Sequence, residues 1–279
     1  MLAVDYDEPG GPDVLKLTKI NIPDISKDEV LIKVKSAGVN RPDIIQREGN
    51  YPAPPGHSKT LGLEVSGIIE KVGINVKKFL VGDKVAALVN GGGYAEFCKA
   101  NESLVFHIPK NITFNEAACI PECFFTAWSN IVMRGEIKKN QKILIHGGTS
   151  GVGIASIQIA KLFDSYIITT VGNKEKVSFC KKLGVDKTIN YNESNFFEEI
   201  KNSQISSVDL VLDFIGGDYI NKNINLLNND GRLVNIGFQN CSKAEINLMK
   251  IMLKRLTITG STLRIRDNSF KSKILNSLI

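Results

Sequence analysis

The sequence predicts an α/β fold in which a doubly wound parallel sheet is joined to a β-rich N-terminal domain. From about residue 140, apolar strands alternate with helical segments, which is the pattern of a parallel sheet. Before about residue 112, short strand-like runs are separated by Gly and Pro turns. The 279 residues also suit two domains of roughly 100–200 residues. We therefore expect a β-rich domain over 1–112, an α/β domain over 113–255 and a C-terminal segment over 256–279.

The N-terminal domain is predicted from strands at Val30–Lys35 and Val65–Val72, with turn residues such as Pro52–Gly56 between them. Many short strands with such turns indicate a small barrel-like domain. Residues 115–127 then have a helical pattern, interrupted near Pro121.

The second domain begins with the apolar strand Lys142–His146. The further predicted elements are strands at 165–171, 187–191, 208–213, 231–237 and 256–261, and a helix at 174–183. Repeated strand–helix units joined by short turns imply a parallel, doubly wound sheet.

The turn after the first of these strands contains Gly148-x-Ser150-Gly151-x-Gly153. Strand, glycine turn and helix N-terminus together form the arrangement that binds a dinucleotide pyrophosphate, because the free N–H groups of the helix face the anion. A serine replaces the middle glycine of the usual fingerprint, so the motif is supported mainly by its context.

The end of the second strand predicts which dinucleotide is bound. NAD-binding sheets place an acidic residue there, about 20 residues past the glycines, to accept from the ribose hydroxyl. Here Val171 occupies that place, and Asn173, Lys174 and Lys176 follow. Amide and ammonium groups can hold a 2′-phosphate, so the pattern favours NADP over NAD. Glu175 is the one contrary residue.

Composition excludes several other classes of protein. The 35 basic and 29 acidic residues are interspersed, and a net charge of +6 without an arginine–aromatic patch argues against nucleic acid as a partner. The five scattered cysteines suit free thiols in a reducing compartment. No apolar run approaches the ~20 residues that span a bilayer, and the acidic start does not resemble a targeting peptide. We expect a cytoplasmic location and no membrane association.

Several motifs together resemble the zinc-free quinone oxidoreductases of the medium-chain dehydrogenase/reductase superfamily, from Met1 almost to the last residue. The likeness is greatest to the tumour-suppressor-inducible branch, with zeta-crystallin as a relative. The most specific stretches are Ala37–Asp43, Leu61–Gly67, Gly91–Glu96, Ala118–Glu122, His146–Gly153, Asp213–Gly217 and Leu263–Asn268.

This resemblance implies a GroES-like substrate domain, a Rossmann cofactor domain, a homodimer and NADPH-dependent reduction of quinones. Asn40 and Tyr51 match the pair that lines the family's substrate cleft, and we take them as the catalytic candidates. The positions that match cofactor contacts are Thr126 beside the nicotinamide, Gly148, Ser150, Gly151, Val152 and Gly153 at the pyrophosphate, Asn173, Lys176 and Tyr191 at the 2′-phosphate, and Gly237 on the nicotinamide side.

We expect no metal. Relatives with a catalytic zinc hold it with cysteine and histidine, whereas this chain has Asn40 and Leu63 at those positions. Cys98 is alone where a structural zinc cluster would lie. Cys119 and Cys123 lack a histidine or acid partner, so they are expected to pack in a helix. A quinone needs little activation, and no close general acid–base pair is visible in the sequence.

Two alternatives remain open at this level. The same cofactor site would serve a reductase of α,β-unsaturated carbonyls or enoyl thioesters, or a non-catalytic cofactor-binding or RNA-binding protein. Family members continue past Ile279, and residues 270–279 have an amphipathic helical pattern with Ile274, Leu275 and Leu278 on one side. We expect that apolar face to await a further segment, and a truncated chain to be less stable than its relatives.

Overall fold

The computed structural model describes residues 1–279. Its strands are β1 (Leu2–Asp5), β2 (Lys16–Lys19), β3 (Glu29–Ala37), β4 (Glu64–Val72), β5 (Lys84–Leu88), β6 (Phe97–Asn101), β7 (Val105–His107), β8 (Lys142–His146), β9 (Tyr166–Val171), β10 (Lys187–Asn190), β11 (Val208–Asp213), β12 (Leu227–Asn235) and β13 (Thr257–Gly260). Its α-helices are α1 (Arg41–Arg47), α2 (Phe114–Ala117), α3 (Pro121–Trp128), α4 (Gly151–Lys161), α5 (Lys174–Lys182), α6 (Phe196–Lys201), α7 (Tyr219–Leu226), α8 (Leu248–Lys254) and α9 (Asn268–Leu278). None of these helices is long and apolar enough to cross a membrane.

The chain divides into two compact units. Unit 1 comprises Met1–Phe125 together with Arg264–Ile279, and unit 2 comprises Thr126–Leu263. The predicted helix around Pro121 is present as α2 and α3, separated by a turn.

Unit 1 is built on antiparallel sheets. Five strands pair in the order β6-β3-β4-β5-β7, and β1 pairs with β2. Inward-facing apolar side chains of these strands, among them Val30, Ile32, Val65 and Val85, form its core together with Phe79. Burying them removes apolar surface from water, which is the main favourable contribution to folding. The predicted β-rich domain is confirmed.

Helix α9 packs within unit 1 beside the short 3-10 helix Glu102–Leu104. Ile274 and Leu275 on its apolar face are buried. The expectation that this face awaits a further segment is therefore wrong, because residues distant in sequence already cover it. Lys271 of α9 is also buried and donates from Nζ to Asn90 Oδ1 at 2.7 Å and to the Arg264 carbonyl at 2.9 Å.

Unit 2 contains the predicted parallel sheet, with six strands in the order β10-β9-β8-β11-β12-β13. All of its pairings are parallel. From β8 the chain adds β9 and β10 on one side, and from β11 it adds β12 and β13 on the other, so the strand order reverses between β8 and β11. In such sheets ligands bind at this point, at the carboxyl ends of the strands. The loops after His146 and Asp213 therefore lie at the place where a dinucleotide is expected.

Candidate functional site

The turn between β8 and α4 has the shape that close backbone approach requires. A Cβ on Gly153 would lie 2.3 Å from the Gly147 carbonyl oxygen, and one on Gly148 would lie 2.1 Å from Thr169 Oγ1. Real Cβ atoms do not come this close to other atoms, so only glycine fits either position in this backbone. The glycine spacing of the sequence thus corresponds to a loop that packs tightly against the first turn of α4 and against β9.

Ser150 is the N-cap of α4, and its Oγ accepts from the Gly153 N–H at 3.0 Å. A hydroxyl that accepts here keeps its own proton, so it can also donate. The start of the helix leaves the N–H groups of Gly151 and Val152 without intrahelical partners. Ser150, Gly151 and Val152 together offer three donors at the positive end of the helix dipole, which suits an anion.

A chain of buried hydrogen bonds runs beneath this turn. His146 is fully buried; its Nδ1 lies 3.0 Å from Thr170 Oγ1, and its Nε2 lies 2.9 Å from Asn223 Oδ1. Thr170 Oγ1 in turn accepts from the Gly147 N–H at 3.3 Å, and Asn223 Nδ2 donates to Asp213 Oδ2 at 3.3 Å. The chain thus connects the glycine turn after β8 with the loop after β11.

The hydrogen-bond partners determine the state of this histidine. The Asp213 carboxyl also accepts from the backbone N–H groups of Ile215 and Gly216, so Asn223 directs its NH₂ there and its oxygen to His146. Nε2 therefore carries the proton, and Thr170 donates to Nδ1. Burial lowers the pKa of the His146 imidazole, which keeps it neutral. His146 therefore stabilises the glycine turn through Thr170, a role that the sequence did not predict.

The residues predicted for a 2′-phosphate lie at the ends of β9 and β10. Asn173 is the N-cap of α5, and its Oδ1 accepts from the Lys176 N–H at 2.8 Å. The Tyr191 hydroxyl lies against Gly172, where a Cβ would be only 2.6 Å from it. The structure therefore brings Gly172, Asn173 and Tyr191 close together. The Lys176 side chain is exposed and makes no ion pair.

Tyr191 also lines an open cavity of about 390 Å³ in unit 2. The other lining residues are Asn192, Glu193, Ser194, Asn195, Phe196, Tyr219 and Lys222. Glu193 is the one acidic residue of this lining, and its Oε1 lies 3.6 Å from Lys174 Nζ. Its charge is thereby partly compensated, so the carboxylate opposes a phosphate less than a free acid would.

The two remaining cofactor candidates are Thr126 and Gly237. The Thr126 carbonyl accepts from Asn130 Nδ2 at 2.8 Å and from Ser129 Oγ at 3.0 Å, where the chain enters a π-helical turn. Its hydroxyl makes no hydrogen bond and stays available. Gly237 follows the carboxyl end of β12 and packs beside Phe214. Both lie in unit 2 with the glycine turn.

The catalytic candidates Asn40 and Tyr51 belong to unit 1. Asn40 is the N-cap of α1 and donates from Nδ2 to Glu64 Oε1 at 2.7 Å. The Arg264 guanidinium lies 5.5 Å from the centre of the Tyr51 ring and donates from Nη1 to Gln46 Oε1 on α1. One helix thus carries Asn40 at its start and, through Gln46, holds the cation that stacks on Tyr51.

Asp43 and Glu64 both accept hydrogen bonds from Asn40, and Glu122 lies next to Glu64; the sequence assigned these three acidic residues no role. Asp43 and Glu64 are almost fully buried. Burial, reinforced by the neighbouring Glu64 and Asp43 carboxyls, raises the pKa of Glu122 to about 8. Burial also raises the pKa of Glu64 to about 7 against the opposing effect of its hydrogen bonds. A lone glutamate in the apolar run Leu61–Gly67 was the sequence signal that could have revealed the cluster.

No group of three or more His, Cys, Asp or Glu side chains in the structure could hold a metal ion. His57 and His107 are exposed. All five cysteines are free thiols, and burial raises the pKa of Cys98 and of Cys123 to about 12. These two thiols therefore stay protonated near neutral pH.

The Glu122→Gln variant is expected to become more stable than the wild type by a margin that grows as the pH rises from about 5 to about 8. The folded-state pKa is about 8 and the ordinary value is 4.5, so the folded protein keeps this proton while the unfolded chain releases it. Ionisation then favours unfolding, by up to about 1.4 kcal/mol per pH unit. Glutamine carries no charge and removes this contribution.

Urea unfolding of both proteins at the two pH values measures the effect. The matched control is Glu70→Gln, which changes an exposed residue of β4 in the same unit. A difference in unfolding free energy between wild type and Glu122→Gln that does not vary with pH would contradict the prediction.

The two units agree with two family models. Residues 26–110 match the alcohol dehydrogenase GroES-like domain, and residues 151–276 match the zinc-binding dehydrogenase family. Together with the parallel sheet and its glycine turn, these matches define a medium-chain dehydrogenase/reductase. Human quinone oxidoreductase is 34% identical over 266 residues, covering 94% of this chain and 80% of the human protein. The chain belongs to the quinone oxidoreductase family, which confirms the resemblance stated above.

Solved structures give the same result. The CurK enoyl reductase superposes with a TM-score of 0.89 at 27% identity, covering 99% of this chain and 86% of that one. Quinone oxidoreductase of Escherichia coli, complexed with NADPH, superposes with a TM-score of 0.86 at 28% identity, covering 100% and 86%. The predicted combination of a Rossmann sheet and a GroES-like domain is thereby confirmed.

Proposed function

We propose that this protein is an NADPH-dependent quinone reductase that transfers a hydride to a quinone without a metal. The observation that carries the proposal is the glycine turn between β8 and α4, combined with the absence of an acidic residue at the end of β9. The NADPH-bound quinone oxidoreductase of Escherichia coli supports the cofactor, and the human relative supports the substrate class.

The residues present fit such a cofactor. Gly148, Ser150, Gly151, Val152 and Gly153 would hold the pyrophosphate, because the turn leaves donors and no side chain there. Asn173, Lys176 and Tyr191 would hold the 2′-phosphate, with Asn173 Nδ2 and the Lys176 ammonium as its donors. Thr126 and Gly237 would contact the nicotinamide side. When bound, NADPH supplies the hydride.

Asn40 and Tyr51 would act on the acceptor. A quinone that gains a hydride develops negative charge on oxygen, and hydrogen bonds from the Asn40 amide and the Tyr51 hydroxyl would stabilise that charge. Burial raises the pKa of Tyr51, so its hydroxyl keeps the proton that it donates. A proton from water completes the hydroquinone, and the aromatic product needs little further help.

Two measurements on the purified chain test this function. Nicotinamide fluorescence gives the affinities for NADPH and NADH, and consumption of NADPH is then followed with a panel of quinones, enals and enoyl thioesters. We expect tighter binding of NADPH than of NADH, and turnover with quinones. Binding without turnover of any acceptor would instead support a non-catalytic cofactor-binding role, and sequence-selective RNA affinity at physiological salt would support RNA binding.

The CurK enoyl reductase favours a second candidate function. Its superposition covers nearly the whole of this chain. A reductase of α,β-unsaturated carbonyls or enoyl thioesters would use the same cofactor residues and the same two donors, since hydride addition there also places charge on a carbonyl oxygen. Preference for the enoyl thioester over every quinone in the panel would establish this alternative.

Replacing Lys176 with alanine is expected to weaken NADPH binding about tenfold and to leave NADH binding nearly unchanged. The exposed ammonium makes no ion pair, so its charge is free for a phosphate, and such charge-assisted bonds are among the stronger hydrogen bonds. Fluorescence titration with each cofactor measures the effect. Lys181→Ala, at the other end of α5, is the matched control. Equal losses for both cofactors would mean that the 2′-phosphate lies elsewhere.

We further propose that the protein is a homodimer. Strand β13 pairs only with β12 and forms one edge of the sheet, so a second copy could add its own β13 there. Apolar side chains of the preceding helix α8 are also exposed, namely Leu248, Met249, Met252 and Leu253. Sedimentation analysis tests this, with Met252→Lys expected to shift the protein toward monomer. A wild-type monomer at micromolar concentration would refute it.

A cytoplasmic location is proposed as well. Five free cysteines support it, because thiols persist in reducing compartments. Imaging of the tagged protein tests it, and a signal confined to an oxidising compartment would exclude it.

A further inference from the structure

Glu64 has an unusual position for a charged residue, since it begins β4 and is only 1% exposed. Both oxygens of its carboxylate are used. Oε1 accepts from Asn40 Nδ2 at 2.7 Å, and Oε2 accepts from the Glu122 backbone N–H at 2.9 Å, in the first turn of α3. A buried carboxylate thus joins the start of α1 to the start of α3.

The space for this carboxylate is provided by Gly38. A Cβ at Gly38 would lie 2.0 Å from Glu64 Oε1 and 2.6 Å from the Ala118 carbonyl oxygen. Any side chain at residue 38 would displace the carboxylate or the backbone. Gly38 and Glu64 therefore form one arrangement, and the side chain that this arrangement contacts is Asn40.

An ionised carboxylate can only accept hydrogen bonds, whereas an amide has one accepting and one donating end. Glu64 therefore obliges Asn40 to direct its NH₂ toward β4, and the capping contact of the Asn40 side chain with the Asp43 backbone places the amide oxygen at the start of α1. We propose that Glu64 is a positioning residue that holds the Asn40 amide in the orientation used on the hydride acceptor; this inference rests on the proposed function.

The charged surroundings make the arrangement sensitive to pH. Asp43 on α1, Glu122 on α3 and the thiols of Cys119 and Cys123 face Glu64, and the cations of Arg264 and Lys271 lie on the side of Glu122. With a pKa of about 7, Glu64 gains a proton as the pH falls through neutrality. The protonated oxygen becomes a donor, which favours the opposite orientation of the Asn40 amide. Activity with the acceptor is expected to fall accordingly.

The test is Glu64→Gln, which keeps the shape of the side chain but places a donor where Glu64 accepts. We expect kcat/KM for the quinone to fall about tenfold, the scale of losing a hydrogen bond to a charged group. The decline of kcat/KM below about pH 7 should also disappear. NADPH affinity should change little, because the cofactor residues belong to unit 2 and Glu64 to unit 1. Glu70→Gln, on the same strand but exposed, is the matched control.

A double-mutant cycle separates positioning from simple support of the fold. If Glu64 acts through Asn40, then Asn40→Ala and the double variant should have the same kcat/KM, since there is no amide left to orient. Additive losses would overturn the proposal, as would a Glu64→Gln variant that keeps kcat/KM within about twofold and retains the decline at low pH.

A second variant gives independent evidence through the backbone. Gly38→Ala should reproduce the loss in kcat/KM, whereas Gly11→Ala, where a Cβ meets nothing within 4 Å, should not. Wild-type protein that binds NADPH but reduces no quinone would refute the proposed function itself. Wild-type turnover with unaffected Glu64 and Gly38 variants would refute only this inference.

Discussion

Replacing Gly153 with valine is expected to reduce NADPH affinity at least about 100-fold, a loss of about 2.7 kcal/mol. The new Cβ would lie 2.3 Å from the Gly147 carbonyl oxygen and 3.0 Å from the Gly148 backbone. Backbone atoms cannot swing aside as a long side chain can. The turn must therefore open, and the donors of Ser150, Gly151 and Val152 then lose their common direction.

Fluorescence titration with NADPH measures this loss, and circular dichroism shows whether the variant is folded. Gly11→Val is the control, because Gly11 has ordinary backbone geometry and open space around it. A folded Gly153→Val protein whose NADPH affinity stays within about threefold of the wild type would show that the pyrophosphate does not bind at this turn.

Replacing His146 with leucine is expected to lower the free energy of unfolding by about 3 kcal/mol. The side chains are of similar bulk, but leucine leaves the Thr170 O–H without its acceptor and the Asn223 oxygen without its donor in a buried place, and each such group costs about 1–3 kcal/mol. Urea unfolding near pH 7 measures the change.

His57→Leu serves as the control, since His57 is exposed, and its effect should stay within about 0.5 kcal/mol. His146→Leu should also weaken NADPH binding, because the chain that supports the Gly147 N–H is broken. If the variant is as stable as the wild type, an apolar side chain at residue 146 would stabilise the fold as much as the chain of buried hydrogen bonds does.

Local patterns predicted much of this molecule. The strand Val208–Asp213 has the bounds expected from its apolar run, and β8, its glycine turn and α4 follow one another as the motif requires. These elements can be predicted from sequence because the interactions that form strands, turns and helix caps involve only a few neighbouring residues. The turn at Ser150 is an example, since its cap bond spans only three residues.

Contacts between distant residues were not predicted. Glu64 and Asn40 are separated by 24 residues, and His146 and Asn223 by 77, so no spacing rule connects them. In the sequence His146 is only the last residue of an apolar strand, and nothing near it indicates Asn223 as a partner. The apolar face of α9 was wrongly expected to be unpaired, because a helical pattern shows which face is apolar but not what covers it.

The return of Arg264–Ile279 to unit 1 affects how the newly made polypeptide can fold. The Asn90 carbonyl accepts from Arg264, and the Asn90 side chain accepts from Lys271, so both partners leave the ribosome after all of Thr126–Leu263. The six-stranded sheet is continuous in sequence and can form while translation proceeds. The part that is synthesised first is therefore completed last, which reverses the usual N-to-C order of domain maturation.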